Sequence, residues 1–223
     1  PVRAAELPRK RSAMSDTYTN LDYAASTPMR PEAIRAQLDY DASEIAGANP
    51  NSLHSLGRKA AQVLESCRRV VACSFGSRVR ASEVLFCGGG TEANVLALIG
   101  LAEAARAADR RRDRVVVSAI EHDSILDNLP QLRALGFTVD TVKPNRRGYV
   151  EPSELEALMG PMSRLCRSCS PTTRPASFNR PSAFRCGSCP RGRLSRRRRP
   201  GLAACAFDVA DLGVDALSIA GHK

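Results

Sequence analysis

Apolar and polar residues along this chain form blocks that predict strands and helices in turn. Short apolar runs with the length and composition of buried strands lie at residues 84–86, 114–120 and 137–142. Longer stretches in which apolar residues recur at helical spacing begin at Pro31 and lie at residues 59–75, 95–108 and 125–135. Because strands and helices alternate, the pattern predicts an α/β fold with a mostly parallel sheet and flanking helices.

A run of three glycines, Gly88 to Gly90, joins the first predicted strand to the helix that follows it, and Thr91 comes next. Glycine lets backbone amides approach an anion closely, and the start of a helix adds a positive field and free N–H groups. The turn therefore predicts a phosphate-binding loop with the Thr91 hydroxyl as a further donor. The same pattern also fits a plain strand-to-helix turn, because the spacing of a dinucleotide fingerprint is absent.

Two further candidates follow predicted strands. The run at residues 114–120 leads into His122, and ligand groups commonly lie at the carboxyl ends of parallel strands. At the far end, a strand before residue 220 leads into His222 and Lys223, where the sheet could place a catalytic amine. The alternatives are a helix cap for His122 and a solvated charge for Lys223. A polar loop at residues 47–58 is either a site or a solvated connection.

The net charge of +10 is confined to one segment. Residues 163–206 contain eleven arginines and no acidic residue, so the rest of the chain carries about −1, and five of the eight cysteines lie there too. The body of the protein is therefore not basic, and we expect no nucleic-acid partner. No apolar run approaches the roughly 20 residues that span a bilayer, and the start has no signal-peptide core. We expect a cytoplasmic protein without a membrane partner, with residues 1–18 as an N-terminal extension.

Several stretches together resemble the cysteine desulfurases, members of the class V aminotransferase family with the fold-type I architecture of pyridoxal-phosphate enzymes. They occur in the family's order and at similar spacing, at residues 21–28, 49–58, 86–94, 121–122 and 211–223. The resemblance implies that residues 19–162 form the N-terminal part of the large, cofactor-binding domain. It also implies that residues 207–223 return to that domain and end at its lysine.

The resemblance implies that five residues bind pyridoxal 5′-phosphate. Lys223 is similar to the lysine that holds the cofactor covalently and later moves the substrate α-proton. His122 is similar to the imidazole that stacks on the cofactor ring and relays protons. Gly90, Thr91 and His222 are similar to the family's phosphate contacts. No metal site is implied.

The chain departs from the family at two places. Ala220 stands where the family often has serine, which removes one hydroxyl donor to the phosphate. Residues 163–206 match nothing in the family, which has two further strands there, an Asn-rich loop and a His-x-Asp-Ala-x-Gln motif. The aspartate of that motif pairs with the pyridine nitrogen, so its absence implies a poorer electron sink.

Two hypotheses compete for residues 163–206. Two Cys-x2-Cys pairs, beginning at Cys166 and Cys186, have the spacing of a zinc ribbon, and the arginine run at 196–199 could bind nucleic acid. Alternatively the segment is translated out of frame. Shifted frames permit Asn-Asn-Glu-Thr-Gly within 165–180 and His-Ala-Asp-Ala-Val-Gln within 195–202, and we favour this hypothesis. We then expect a disordered or poorly placed segment, since prolines interrupt strands and unpaired buried arginines are costly.

These features predict a pyridoxal-phosphate-dependent cysteine desulfurase, which converts L-cysteine to L-alanine and leaves a persulfide on an enzyme cysteine. The resemblance implies a sulfur-acceptor or iron–sulfur scaffold partner and a homodimer if the chain is intact. It places the persulfide cysteine and a small domain beyond Lys223, so we expect this chain to be an inactive or impaired fragment. The alternatives are a selenocysteine lyase or an aminotransferase of the same family, and a zinc-ribbon nucleic-acid-binding protein on a degenerate enzyme scaffold.

Overall fold

The computed structural model describes residues 26–148, 150, 154, 158, 166–169, 182–186, 209 and 214–221. Within these residues the helices are α1 (Pro31–Asp41), α2 (Ser55–Ser74), α3 (Gly90–Ala108), α4 (Asp123–Leu126) and α5 (Leu129–Ala134). The strands are β1 (Arg114–Ser118), β2 (Thr138–Val142), β3 (Cys166–Cys169), β4 (Ser182–Cys186) and β5 (Ala216–Ser218). Helices and strands thus alternate along the body of the chain, as the pattern of apolar residues predicts.

The strands form one sheet in the order β2-β1-β3-β4-β5. β1 pairs in parallel with β2 and with β3, whereas β4 is antiparallel to both of its neighbours. Four of these five strands therefore run in the same direction, which confirms the prediction of an α/β fold with a mostly parallel sheet. As a result, the carboxyl ends of β1 and β5 lie at the same edge of the sheet.

The core lies between β1 and the helices that pack on it. Val115, Val116 and Val117 are almost completely buried, as expected for a parallel strand that is covered on both faces. On one face, Leu98 and Ala102 of α3 join the cluster. The remaining buried members of that cluster come from α4, from α5 and from the residue just before β2: Ile125, Leu129, Leu132 and Phe137. The middle of α3 is therefore held against β1, α4 and α5 by one packed core.

Two parts of the arginine-rich segment differ from the sequence-based expectation. Residues 166–169 and 182–186 form β3 and β4, which pair with each other over four residue pairs and lie between β1 and β5. The structure thus gives these two stretches defined strand pairing, while the expectation that the segment as a whole is disordered or poorly placed stays a prediction. The physical reason is that neither stretch contains proline, so every backbone N–H can join the ladder. The prolines of the segment lie outside them.

The apolar run at residues 84–86 is not a strand, contrary to the prediction. A 3-10 turn covers Ala81–Glu83, and Val84 then has extended backbone angles without a strand partner among the described residues. Leu85 and Phe86 are 75% and 50% exposed. Apolar content alone predicted a strand here, but a strand also needs a neighbour that supplies the other half of its ladder.

The predicted helix at residues 125–135 consists of two short helices. α4 ends at Leu126, and α5 begins at Leu129 with Pro130 in its first turn. Proline has no N–H to donate, so it fits the first turn of a helix, where that N–H would have no partner, and Pro130 stands at the start of α5 instead of continuing α4. α2 also differs from the prediction, since it begins at Ser55, four residues before the predicted start at 59.

None of the helices in the described part of the chain is long and apolar enough to cross a membrane.

A prediction about stability arises from Arg106, which joins α3 to the turn after α5. Its guanidinium carbon lies 3.9 Å from the centre of the Phe137 ring, and Nη1 donates to the Leu135 carbonyl at 2.7 Å. Arg106→Met keeps the aliphatic contact but removes both polar interactions. We expect the free energy of unfolding to fall by about 1–2 kcal/mol. The exposed Arg110→Met is the control and should change it by less than about 0.5 kcal/mol in urea denaturation.

An equal effect of the two substitutions in the same denaturation experiment would contradict this prediction. It would mean that the loss of any positive charge near the end of α3 matters more than the particular contacts of Arg106. The two variants change the net charge of the chain by the same amount, so this comparison separates the two causes.

Candidate active site

The glycine turn leaves the first turn of α3 open to an anion. α3 begins at Gly90, and its N-cap Gly89 makes no side-chain capping hydrogen bond. No heavy atom lies within 4 Å of the place where a Cβ on Gly89 would stand, so the space beside the turn is open. The first N–H groups of a helix have no partner within the helix and carry its positive end. This geometry fits a phosphate group at Gly90 and Thr91.

One of the three glycines has a different role from the predicted one. The Gly88 N–H donates to Oε2 of Glu92 at 2.6 Å, so it is not available to an anion. Glu92 lies in the first turn of α3, where a carboxylate is favourable because of the helix dipole. The Glu92 side chain therefore ties the turn to the helix, and of the predicted phosphate-binding loop only Gly89, Gly90 and Thr91 are left for an anion.

His122 lies where the sequence predicts it, just beyond the end of β1, and it also caps α4. Its Nδ1 accepts a hydrogen bond from the Ser124 N–H at 3.0 Å, and Oγ of Ser124 lies 2.9 Å from the same nitrogen. Because a backbone N–H can only donate, Nδ1 must be the unprotonated ring nitrogen in this arrangement. The helix-cap interpretation of His122 is thus confirmed, while Nε2 is left for another partner.

Asn94 connects the helix after the glycine turn to the helix that His122 caps. Its Nδ2 donates to Oγ of Ser124 at 2.8 Å, and the Asn94 side chain is only 7% exposed. Neither Asn94 nor Ser124 was predicted from the sequence as part of a site. The sequence signal that could have indicated them is their spacing. Asn94 lies four residues after Gly90 on one helix face, and Ser124 lies two residues after His122.

The end of β5 reaches the same turn. A Cβ built on Gly90 would lie 3.5 Å from Cβ of Ala220, so Ala220 adjoins the start of α3. Lys223 comes three residues later, a distance of at most about 11 Å along an extended chain. His222 and Lys223 themselves lie outside the described residues, and their predicted roles stay predictions.

The polar loop at residues 47–58 holds the start of α2. His54 accepts a hydrogen bond from the Gly57 N–H at its Nδ1, at 3.2 Å, and the Arg58 guanidinium donates to the Leu53 carbonyl. These contacts are those of a helix cap and a loop brace, which supports the interpretation as a connection. The described residues contain no group of three or more His, Cys, Asp or Glu side chains that could hold a metal ion.

The structure describes the backbone of only three of the four cysteines in the zinc-ribbon hypothesis. Cys166 and Cys186 are register partners in the β3–β4 pair, and Cys169 is the last residue of β3. Cys189 lies outside the described residues, so the four-cysteine site stays a hypothesis.

Similarity to known proteins shows the family to which the chain belongs. The sequence profile described as aminotransferase class V matches residues 19–172. The chain belongs to the class V aminotransferase family. Members of this family depend on pyridoxal phosphate. The match ends ten residues inside the segment 163–206, which we expected to have no counterpart in the family.

Relatives of the chain in this family carry the name cysteine desulfurase. The chain is 32% identical over 136 residues to cysteine desulfurase IscS of Dictyoglomus turgidum, covering 61% of this chain and 33% of that protein. It is 41% identical over 109 residues to an IscS-like cysteine desulfurase of Mycobacterium tuberculosis, covering 49% and 26%. An alignment with human cysteine desulfurase, at 28% identity, covers the whole of this chain and 47% of that protein.

Two solved structures that are similar to the chain support the same assignment. The chain is similar to a protein described as SspA in complex with cysteine, with a TM-score of 0.55 and 27% identity over 65% of this chain and 40% of that one. It is similar to a NifS-like protein with a TM-score of 0.52 and 30% identity, covering 60% and 35%. The chain spans about half or less of the length of these relatives.

Proposed function

We propose that this chain is the cofactor-binding part of a pyridoxal-phosphate-dependent cysteine desulfurase that acts on L-cysteine. The observation that carries the proposal is the convergence of three segments at one edge of the sheet. These are the uncapped start of α3 at Gly90, the turn beyond β1 that carries His122, and the turn beyond β5 that carries Ala220, which adjoins Gly90. Relatives named cysteine desulfurase supply the reaction class.

Each side chain has a separate task in this proposal. The amides of Gly90 and Thr91, at the positive end of α3, bind the cofactor phosphate, and His222 adds a donor. His122 stacks on the ring and presents Nε2, because Nδ1 is used by the cap. Lys223 holds the cofactor through its amine and moves the α-proton of the substrate. When bound, pyridoxal phosphate supplies the electron sink that stabilises charge at the substrate α-carbon.

The partners of the proposed reaction follow from its products. Sulfur removed from L-cysteine must pass to an acceptor, and we propose a sulfur-acceptor or iron–sulfur scaffold protein in the cytoplasm. A homodimer belongs to the same proposal. The sulfur chemistry of the proposal is supported by the relatives named cysteine desulfurase. One related structure is also described as a complex with cysteine.

Equilibrium binding of pyridoxal phosphate to the purified chain tests the proposal. We expect one cofactor per chain, and we expect Lys223→Ala to weaken binding by at least about tenfold, or 1.4 kcal/mol, because a covalent link is lost. Lys143→Ala is the matched control, since Lys143 is an exposed lysine beyond β2, and it should bind like the original chain. Absorbance of the dialysed protein measures the bound cofactor.

Equal binding by the Lys223→Ala variant and the original chain would contradict the proposal. So would a stoichiometry above one that falls when Lys143 is replaced, because that result would indicate reaction of the aldehyde with surface lysines.

A further inference from the structure

We propose that Asn94 and Ser124 are positioning residues for His122, acting through a hydrogen-bond relay from α3 to the imidazole. This inference rests on the proposed function, which assigns His122 to the cofactor ring. The relay runs from Nδ2 of Asn94 to Oγ of Ser124 at 2.8 Å, and from Oγ to Nδ1 of His122 at 2.9 Å. It joins the helix that binds the phosphate to the side chain that meets the ring.

The direction of the relay follows from the donors that are available. The Ser124 N–H already donates to Nδ1 of His122 at 3.0 Å, so this nitrogen is an acceptor. Asn94 donates to the Ser124 hydroxyl oxygen and leaves the hydroxyl proton to point at the same nitrogen. Two donors therefore hold the imidazole as the tautomer protonated at Nε2, with its ring plane fixed.

Burial makes the relay effective. Asn94 and Ser124 are each 7% exposed, so water does not replace either hydrogen bond easily. Oδ1 of Asn94 is buried and has no hydrogen-bond partner among the described residues. A buried side-chain amide whose oxygen has no hydrogen-bond partner costs free energy. Such an amide is tolerated where its nitrogen makes a hydrogen bond that the site needs. The donation to Ser124 is that task.

The relay also gives a reason for the packing of α3 against α4. The phosphate is held by the start of α3, and His122 precedes α4 directly. Because Asn94 lies one turn after Gly90, its hydrogen bond to Ser124 and the contact of Ser124 with Nδ1 together fix the imidazole relative to the phosphate-binding turn. The phosphate end and the ring end of the cofactor would thus both be positioned by contacts with α3. Fixing the binding groups on one rigid element in this way is what preorganisation of a site requires.

Nitrogen-15 NMR of the histidines tests the relay without any cofactor. The chain has three histidines, and His54 provides an internal reference because its Nδ1 also accepts a backbone N–H. We expect His122 of the original chain to be protonated mainly at Nε2. In Ser124→Ala one of the two donors is lost, and the tautomer ratio should shift about fivefold toward Nδ1, as expected for one hydrogen bond. Asn94→Leu should shift it in the same direction.

Two further variants separate positioning from a general structural effect. Ser124→Thr keeps the hydroxyl and should restore the original ratio. Asn128→Leu removes a different hydrogen bond to the same residue, from Nδ2 of Asn128 to the Ser124 carbonyl at 2.9 Å, and should leave the ratio unchanged. An unchanged ratio in Ser124→Ala, or an equal shift in Asn128→Leu, would overturn the relay.

Pyridoxal phosphate binding by the same variants connects the relay to the site. We expect Ser124→Ala to bind the cofactor about fivefold more weakly and Ser124→Thr to bind it like the original chain. A tautomer shift in a chain that never binds the cofactor would support the relay and refute the proposed function. Normal cofactor binding without a tautomer shift in Ser124→Ala would refute the relay and leave the proposed function standing.

Discussion

Replacing Gly57 with alanine is expected to destabilise the chain by about 2–3 kcal/mol, the cost of overpacking a filled space. Gly57 lies in the first turn of α2 and is buried against the loop that precedes it. A Cβ there would lie 2.3 Å from the Ser52 carbonyl oxygen and 2.9 Å from that of Asn49. Because both contacts are with backbone, no side-chain rotation can relieve them, and the loop itself must move.

A loss of stability on replacing a helical glycine with alanine is the opposite of the usual effect, so the sign of the change is itself a test. Glycine to alanine within a helix normally stabilises it by about 0.5–1 kcal/mol. Gly100 of α3 is exposed, and a Cβ there would meet no heavy atom within 4 Å. Gly100→Ala is therefore the matched control and should stabilise the chain. Urea denaturation of both variants measures the two changes, and changes of the same sign would contradict the packing described around Gly57.

Replacing Leu98 with alanine is expected to cost about 3 kcal/mol, within the range of roughly 2–5 kcal/mol for buried leucines. Leu98 is completely buried in the cluster that joins α3 to β1, α4 and α5. The loss has two parts, the removed apolar surface and the cavity that remains. Since the same helix starts at the proposed phosphate-binding turn, we also expect the variant to bind pyridoxal phosphate more weakly.

Leu96→Ala is the control for the Leu98 variant, because Leu96 lies on the same helix and is 52% exposed. Its loss should be less than about 1 kcal/mol, since much of its surface is in water in either state. Thermal or urea unfolding of the two variants gives the difference. If the Leu96 variant lost as much stability as the Leu98 variant, the buried face of α3 would have been assigned incorrectly.

Much of the fold could be predicted from the sequence because its central elements follow simple periodic patterns. The buried run of valines at residues 115–117 needs no partner information to be recognised as a covered parallel strand. Helix α3 follows a glycine turn and has apolar residues at helical spacing. His122 could be placed at this edge of the sheet because it closely follows the buried run, although the strand ends at Ser118 and not at residue 120 as predicted.

The sequence misled where an element depends on its neighbours. The apolar residues at 84–86 have the composition of a strand but no partner in the described part of the sheet. The stretches that form β3 and β4 have the opposite property, since their composition is poor for a core while their backbone completes the ladder between β1 and β5. Pairing of this kind depends on distant residues, which local composition does not report.

The details of the site were hidden for a similar reason. Glu92 removes the Gly88 amide from the predicted phosphate-binding loop, and Asn94 donates a hydrogen bond to Ser124, thirty residues away in the sequence. Neither contact follows from spacing alone, since each depends on which rotamer the packed helix allows. The sequence could indicate the chemistry of the turn and of His122, but not the side chains that orient them.

The most direct measurement of the central claim is the location of pyridoxal phosphate on the chain. The purified protein is incubated with one equivalent of the cofactor, treated with borohydride to make any lysine link permanent, digested, and analysed by mass spectrometry. We expect the pyridoxyl label on the peptide that ends at Lys223. A label spread over the exposed Lys59 and Lys143, with none on Lys223, would contradict a cofactor site at this edge of the sheet.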